Sequence, residues 1–482
     1  MELSGITEEI NLLNQLEEKY GTPIYPSRNA QSITGLNPLF LAHYFSFKLQ
    51  LKFCLKKHSF TQYDNHRGVW DYLSDNNMSE LLWTETYSTL KHIGNAEPHV
   101  FSRHIKPSII STIQNLLKSI LEYNDSESVT VKRYFHAANC MMVFDMKAGT
   151  WSQEAFAPEF HSHYRSEIVY DAQKTCPRFL TELVQPAMTE DDIEILQLYL
   201  GQCLLTSNLS QTFLLLEGTP GGGKSTLVNI IEKMIGREHC SELRAAHTTG
   251  RFEIASLSGK KLLTGKDVSS QFMNNSGGRS LKFLTGKDTV TGEYKNSNKR
   301  VSVEGNFNII ITSNNTLRMK FDGDLEAWRR RILIIKYQSA PPKEKITDFD
   351  DLLIEEEGSG ILNWIMEGAK KLIQNGSTIP KNASQKLAVD NLLKSSDPLV
   401  YFVDSCIHPT PQSNITTAEV IEVFTIVCHN KKWDIPTDRE IQKRLKSYMA
   451  EKHRASISHS VKRGGKSKRG YYNFQIRHPD QK

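Results

Sequence analysis

Residues 218–226 read Gly218-Thr219-Pro220-Gly221-Gly222-Gly223-Lys224-Ser225-Thr226, and this stretch constrains the chain more than any other. It fits GxxxxGK[ST] and lies between an apolar run, Phe213 to Leu216, and a helical pattern, LVNIIEKMI. Strand, glycine loop and helix in that order let backbone N–H groups close around phosphate oxygens at a helix N-terminus. Lys224 then reaches the outer phosphates, and Ser225 is placed to ligate Mg²⁺. The expected ligands are ATP and Mg²⁺. The apolar runs FLLLEG, KLLTGKD, FNIIITSN and RILIIKY alternate with helical or polar segments across residues 211–337, the rhythm of an α/β sheet covered by helices.

A phosphate cradle hydrolyses nothing without groups that hold the metal and orient water. Asp267, at the end of Lys261-Leu262-Leu263-Thr264-Gly265-Lys266-Asp267, is the expected second Mg²⁺ ligand beside Ser225; a strand-terminal turn residue is its plainer reading. Asn314 ends the run Ile309-Ile310-Ile311-Thr312-Ser313 and is placed to touch the γ-phosphate or the attacking water. Trp328-Arg329-Arg330-Arg331 precedes the next apolar strand, and planar guanidinium forks match phosphate oxygens. In a ring, one of these arginines reaches the neighbour's ATP, which makes hydrolysis depend on assembly.

The loop GTPGGGKST, the strand GKKLLTGKD, the segment LKFLTGKDTVTGEYKNSNKRVSVEGNFNIIITSNN and AWRRRILIIKY follow the motif order of superfamily 3 helicases, so the chain resembles that family. GILNWIMEGAKKLIQNG and the segment from NCMMVFDMKAGTW to LQLYLGQCLL resemble, more narrowly, the helicase part of phage, plasmid and poxvirus primase-helicases. In layout the chain is similar to replication initiators of staphylococcal pathogenicity islands. The resemblance implies an AAA+-type P-loop core working as a homo-oligomeric ring, a hexamer. It also implies ATP-dependent unwinding of DNA at the origin of a mobile genetic element. By the same resemblance a hairpin over about Val290 to Val303 projects into the ring channel and holds single-stranded DNA, with Lys295, Lys299 and Arg300 near its tip. Aligning the strand that follows favours Arg330 and Arg331 over Arg329 as the finger. The family usually ends its Walker B strand in a glutamate or paired acids, whereas Asp267 is followed here by Val268, so the acid that activates water is not identified.

Residues 401–482 carry 15 Lys/Arg against 8 Asp/Glu, a net +7 within an overall charge of +5, which leaves −2 for the rest. Such local basicity is an electrostatic footprint of nucleic-acid binding. There the order is helix (TTAEVIEVFTIVCHNKKW), helix (TDREIQKRLKSYMAEK) and basic hairpin (ISHSVKRGGKSKRGYYNFQI), which reads as a winged-helix domain on duplex DNA. Lys443, Arg444 and Lys446 lie on its candidate recognition helix, and Lys462, Arg463, Lys466, Lys468 and Arg469 on its wing.

For 482 residues about three domains are expected. They are a mostly helical accessory or oligomerisation region at 1–185, the ATPase core at 186–376 and the winged helix at 396–482, with a linker at 377–395 before the last. The seven cysteines form no CxxC pair, and His161 and His163 have no completing ligand cluster in sequence, so neither a disulfide framework nor a metal site is expected. No apolar run approaches the roughly 18 residues that span a bilayer, and a cytoplasmic protein without membrane partners is expected. Residues 1–130 show no primase-like carboxylate motif, which points to a separate primase partner. An ATP-switched DNA-binding regulator or loader that separates no strands is the alternative reading.

Overall fold

The computed structural model describes residues 2–27, 33–55, 58–93, 102–123, 132–244, 250–269, 277–295, 300–315, 317, 325–339, 344, 346–431, 433 and 435–477. The chain divides into two compact units, Met1–Tyr170 and Asp171–Lys482. Among the described residues no helix is long and apolar enough to cross a membrane.

The first unit contains helices α1 (Glu2–Tyr20), α2 (Pro38–Lys48), α3 (Asp75–Ile93) and α4 (Pro107–Ile120). Its strands are β1 (Ile24–Pro26), β2 (Ile33–Leu36), β3 (Leu51–Cys54), β4 (Ser59–Asp64), β5 (Val69–Leu73), β6 (Glu122–Tyr123), β7 (Lys132–His136), β8 (Met141–Asp145) and β9 (Thr150–Glu154). They pair as β1-β2, β5-β4-β3-β6 and β7-β8-β9. Helix α4 is amphipathic and buries Ile110, Ile113 and Leu117 against Phe40, Leu41 and Phe45 of α2. The expected mostly helical region is therefore a mixture of helices and small sheets. Strands such as Val-Trp-Asp-Tyr-Leu at β5 are too short for period-two alternation to emerge.

His136, at the end of β7, is buried, and its Nδ1 lies 2.8 Å from the Ser162 hydroxyl. Burial holds its pKa down to about 4, against 6.5 for a free imidazole. As pH falls from 6.5 to 4 the unfolded chain takes up a proton that the folded chain refuses, so stability is lost across that window. His136 alone is expected to contribute about 2–3 kcal/mol of loss between those limits. His136→Gln is expected to make the profile shallower by that share, with His43, His239 and His453, whose pKa values burial also lowers, still contributing; an unchanged slope contradicts the assignment.

The second unit begins with a π-helical turn (Phe179–Val184) and α5 (Glu190–Leu204), whose N-cap Thr189 accepts from the Asp192 N–H as an ST cap should. Then come β10 (Phe213–Gly218), α6 (Lys224–Ile235), β11 (Cys240–Glu242), α7 (Arg251–Ser256), β12 (Leu262–Gly265) and α8 (Gly277–Thr285). A hairpin, β13 (Thr289–Glu293) and β14 (Arg300–Glu304), leads to β15 (Asn308–Ser313), α9 (Leu325–Arg331), β16 (Ile332–Tyr337) and α10 (Phe349–Gln374). The core is a five-stranded parallel sheet in the order β11-β12-β15-β10-β16. Helices flank it, and β10 and β15 are buried along nearly their whole length, which is why they read as unbroken apolar runs.

The unit boundary at 170/171 lies before the expected one at 185. Residues 171–184 are tied to α10: the Asp171 N–H donates to Ser359 Oγ at 2.9 Å, and buried Glu357 accepts from the N–H groups of Arg178 and Phe179. The expected linker is also corrected. Residues 383–396 form helix α11 (Ala383–Ser396), whose Val389, Leu392 and Leu393 pack with Trp328, Ile332 and Ile334 in the sheet's core. Helix α12 (Pro398–Cys406), β17 (Ile407–Thr416), α13 (Thr417–Lys431), α14 (Asp438–His453), β18 (Ser458–Arg463) and β19 (Lys466–Ile476) complete the chain, with an antiparallel sheet in the order β17-β19-β18. The two helices and basic hairpin expected here are present. Helix α12 and β17 were not anticipated.

Candidate nucleotide-binding site

Strand β10 delivers the chain at Gly218 against the end of β16. A Cβ there would lie 1.9 Å from the Tyr337 carbonyl oxygen, and one on Gly222 would lie 2.6 Å from that of Ser339. The loop from Thr219 through Pro220 and Gly221 is exposed and turns into α6 at Gly223, whose φ of +99° suits glycine. No side chain caps α6, so its first-turn N–H groups remain available to an anion. Lys224 is buried, and its ammonium donates to the carbonyls of Gly218 at 2.9 Å and Thr219 at 2.7 Å. Burial pulls the Lys224 pKa below the ordinary lysine value, while the Asp267 carboxylate acts the other way. Ser225 is exposed and Thr226 half-buried in the same first turn. Open helix donors, an ammonium held by loop carbonyls and glycines with no room for side chains fit a polyphosphate.

Asp267 follows the end of β12 with φ +51°, a left-handed conformation that Asp and Asn tolerate better than most side chains. Its N–H donates to Thr312 Oγ1 at 2.8 Å, and the Val268 N–H donates to the Thr312 carbonyl at 2.9 Å, which fixes the turn to β15. Asn314, 47 residues further on, donates its side-chain N–H to Asp267 Oδ1. Lys224, Asp267 and Asn314 thus gather at the carboxyl ends of β10, β12 and β15, where parallel α/β sheets bind ligands. A supporting contact was not anticipated. Glu232 of α6 accepts from Thr264 Oγ1 at 2.6 Å and from Lys266 at 2.7 Å, tying the helix after the glycine loop to the strand that carries Asp267. Lys266, charged and adjacent to Asp267, was its one signal in the sequence.

The arginines lie at the other end of the sheet. Ile332, which follows Arg331, pairs with Phe213 at the start of β10, whereas Gly218 pairs with Tyr337. Five residue steps at about 3.3 Å each put the two ends about 17 Å apart. Arg329 is bound to Glu326 and, at 2.9 Å, to Asp390. Arg331 is half-buried and donates to the Ala327 carbonyl at 3.1 Å; burial, then the neighbouring Arg330 charge, lower its pKa. Arg330 is exposed.

The hairpin base is at this same end, because β14 runs into the start of β15. The Phe307 N–H donates to the Leu284 carbonyl at 2.9 Å and the Gly305 N–H to that of Asp288 at 2.8 Å. Val290 pairs with Val303 and Glu293 with Arg300, matching the expected hairpin. Lys295 and Arg300 are exposed, Arg300 lying 3.5 Å from Glu293; Lys299 lies outside the described residues. Tyr294, 41% exposed beside Lys295, escaped the sequence reading and offers an aromatic face on which a base can stack.

On α14, Ile441, Leu445 and Met449 are buried while Lys443, Arg444 and Lys446 are exposed. Arg444 is engaged by Asp397. Lys462, Lys466, Lys468 and Arg469 are exposed around the turn at Gly464 and Gly465. Lys468, Arg469 and Gln442 of α14 line one groove of about 410 Å³. Arg463 differs from its neighbours: its guanidinium is bound to Glu419, at 2.7 Å, and to Asn414, which clamps β18 to the start of α13.

A family model described as a family of unknown function, DUF5906, matches residues 216–331, the stretch that holds the glycine loop, Asp267, the hairpin, Asn314 and the arginines. No curated protein matches the chain. Among solved structures, the chain is similar to the NrS-1 C-terminal region in three apo structures. The A form of residues 305–718 shares 14% identity at a TM-score of 0.44. A second A-form structure shares 15% at 0.46, and a further apo structure 14% at 0.47. Each alignment covers 90% of this chain and 99% of the other.

Proposed function

We propose that this protein is an ATP-dependent DNA helicase and replication initiator of the superfamily 3, AAA+ type, working as a ring, with a winged-helix domain over residues 396–482 that grips duplex DNA. One observation carries the reading: Lys224, Asp267 and Asn314 converge at one end of the parallel sheet, while Arg330 and the base of the cationic hairpin occupy the other. A nucleotide in the cradle is out of reach of its own subunit's Arg330, so that guanidinium serves a neighbour's ATP. Hydrolysis in one subunit is then sensed where the next subunit holds its hairpin.

Lys224 and the α6 N–H groups bind the β- and γ-phosphates, and Asn314 orients water near the γ-phosphate. Ser225 and Asp267 would hold Mg²⁺, which would supply neutralisation of phosphate charge. Lys295, Lys299 and Arg300 contact DNA phosphates without reading bases. The helix–strand–helix–helix–strand–strand order of α12 to β19 supports the winged-helix reading, in which α14 is the groove-facing helix and the Lys462 to Arg469 turn the wing. A separate primase completes initiation.

The test is uncoupling. Lys295→Ala, and Lys295→Ala with Arg300→Ala, are expected to keep at least half the basal ATP turnover and lose about 10-fold or more of strand separation on a forked duplex, since each lost phosphate contact weakens grip on the strand. Full unwinding by the double variant would remove the hairpin from the mechanism.

A further inference from the structure

Arg330 is an exposed arm on a short support. Helix α9 has seven residues and runs directly into β16, so its last carbonyls lack intrahelical partners and its own helical stability is marginal. Segment 381–390, which reads in sequence as a linker, supplies what the helix lacks. The Lys381 ammonium donates to the carbonyls of both Arg329 and Arg330, the latter at 3.1 Å, and places a positive charge at the helix C-terminus. Asp390, on α11, accepts from Arg329 Nε at 2.9 Å. Trp328 is fully buried in the same core as Val389, Leu392 and Leu393. Thus the residues before Arg330 and its own carbonyl are fixed from one side, while its guanidinium has no hydrogen bond among the described residues.

We infer that Lys381 and Asp390 are positioning residues for Arg330, holding α9 so that its guanidinium projects toward the ATP of the neighbouring subunit; this rests on the trans-finger reading above. The contact has a cost. Burial lowers the Lys381 pKa to about 8, so the ammonium is kept in unfavourable surroundings at neutral pH. Lys381 is half-buried, and a desolvated charge is a poor device for stability alone, because an apolar side chain of similar volume removes the desolvation cost. What an apolar side chain cannot do is hold the two carbonyls that flank the finger.

Lys381→Met in the full chain keeps length and volume and removes the donor together with its charge. The expected result is a fall in kcat for ATP of about 10- to 100-fold, the scale of a small misplacement at a reacting centre, with KM and thermal midpoint unchanged. Lys381→Arg should recover much of the loss. Mixed with Lys224→Ala chains, whose fingers are intact, Lys381→Met chains should regain turnover as Arg330→Ala chains do. Lys381→Met combined with Arg330→Ala should be no slower than Arg330→Ala alone. Asp390→Asn, which keeps shape and removes charge, reads the same way if Lys381→Met does not fold. Wild-type kcat in Lys381→Met and Asp390→Asn, losses that add to that of Arg330→Ala, or no recovery on mixing would overturn the proposal. Wild-type turnover by Arg330→Ala itself, beside a dead Lys224→Ala, would instead overturn the trans-finger reading on which it depends.

Discussion

Lys224→Ala is expected to lower ATP turnover by at least about 10²–10³-fold, the scale of losing one preorganised contact to developing charge, while the thermal midpoint stays within a few degrees. The two halves of this result have separate causes. The Lys224 ammonium is held by the carbonyls of Gly218 and Thr219 at the mouth of the cradle and lies near Asp267, so its loss removes the one cation that the loop offers a phosphate. Burial already lowers its pKa, so alanine relieves a desolvation cost and the fold is not weakened. Steady-state ATP hydrolysis with and without single-stranded DNA, beside a thermal melt, checks both. Wild-type turnover would show that nucleotide chemistry lies elsewhere.

Arg330→Ala is expected to lose about 10³-fold in kcat, the usual worth of an arginine finger, with ATP binding retained. The sheet register separates Arg330 from its own subunit's glycine loop, so on the proposed ring arrangement the deficit belongs to the interface. Mixing Arg330→Ala chains with Lys224→Ala chains should therefore restore turnover, because intact loops then face intact fingers. Arg331→Ala should behave differently. Its half-buried side chain is bound to the Ala327 carbonyl, so it should lower stability more than turnover. If mixing restores nothing, Arg330 does not act in trans.

Much of the site was legible in the sequence, for physical reasons. The glycine loop declares itself because only glycine fits where Gly218 and Gly222 meet the backbone at and just past the end of β16, and the buried parallel strands must be apolar throughout. The hairpin's span came from the family resemblance alone, and the pairing of Val290 with Val303 is what the structure adds. The Asp267–Asn314 contact was not, because it depends on strand order: β12 and β15 are neighbours, a fact no local pattern carries.

Helix α11 was missed because its sequence is mostly polar. Its buried face rests on Val389, Leu392 and Leu393, and buried Gln385 is accommodated only because it accepts from the Ile334 N–H and donates to Asp192. Arg463 shows the converse: it reads as one more wing cation, but the fold places Glu419 beside it. Charge counts locate a basic region, and only the packing says which charges are already spent.

Whether the chain is a helicase is decided by strand separation on a forked DNA duplex by the purified full chain, with ATP and Mg²⁺, beside the Lys224→Ala variant. The expected result is unwinding that requires ATP hydrolysis and vanishes in Lys224→Ala. Hydrolysis and DNA binding by the wild type without strand separation, on forked and origin-like duplexes alike, would contradict it and leave an ATP-switched DNA-binding regulator in its place.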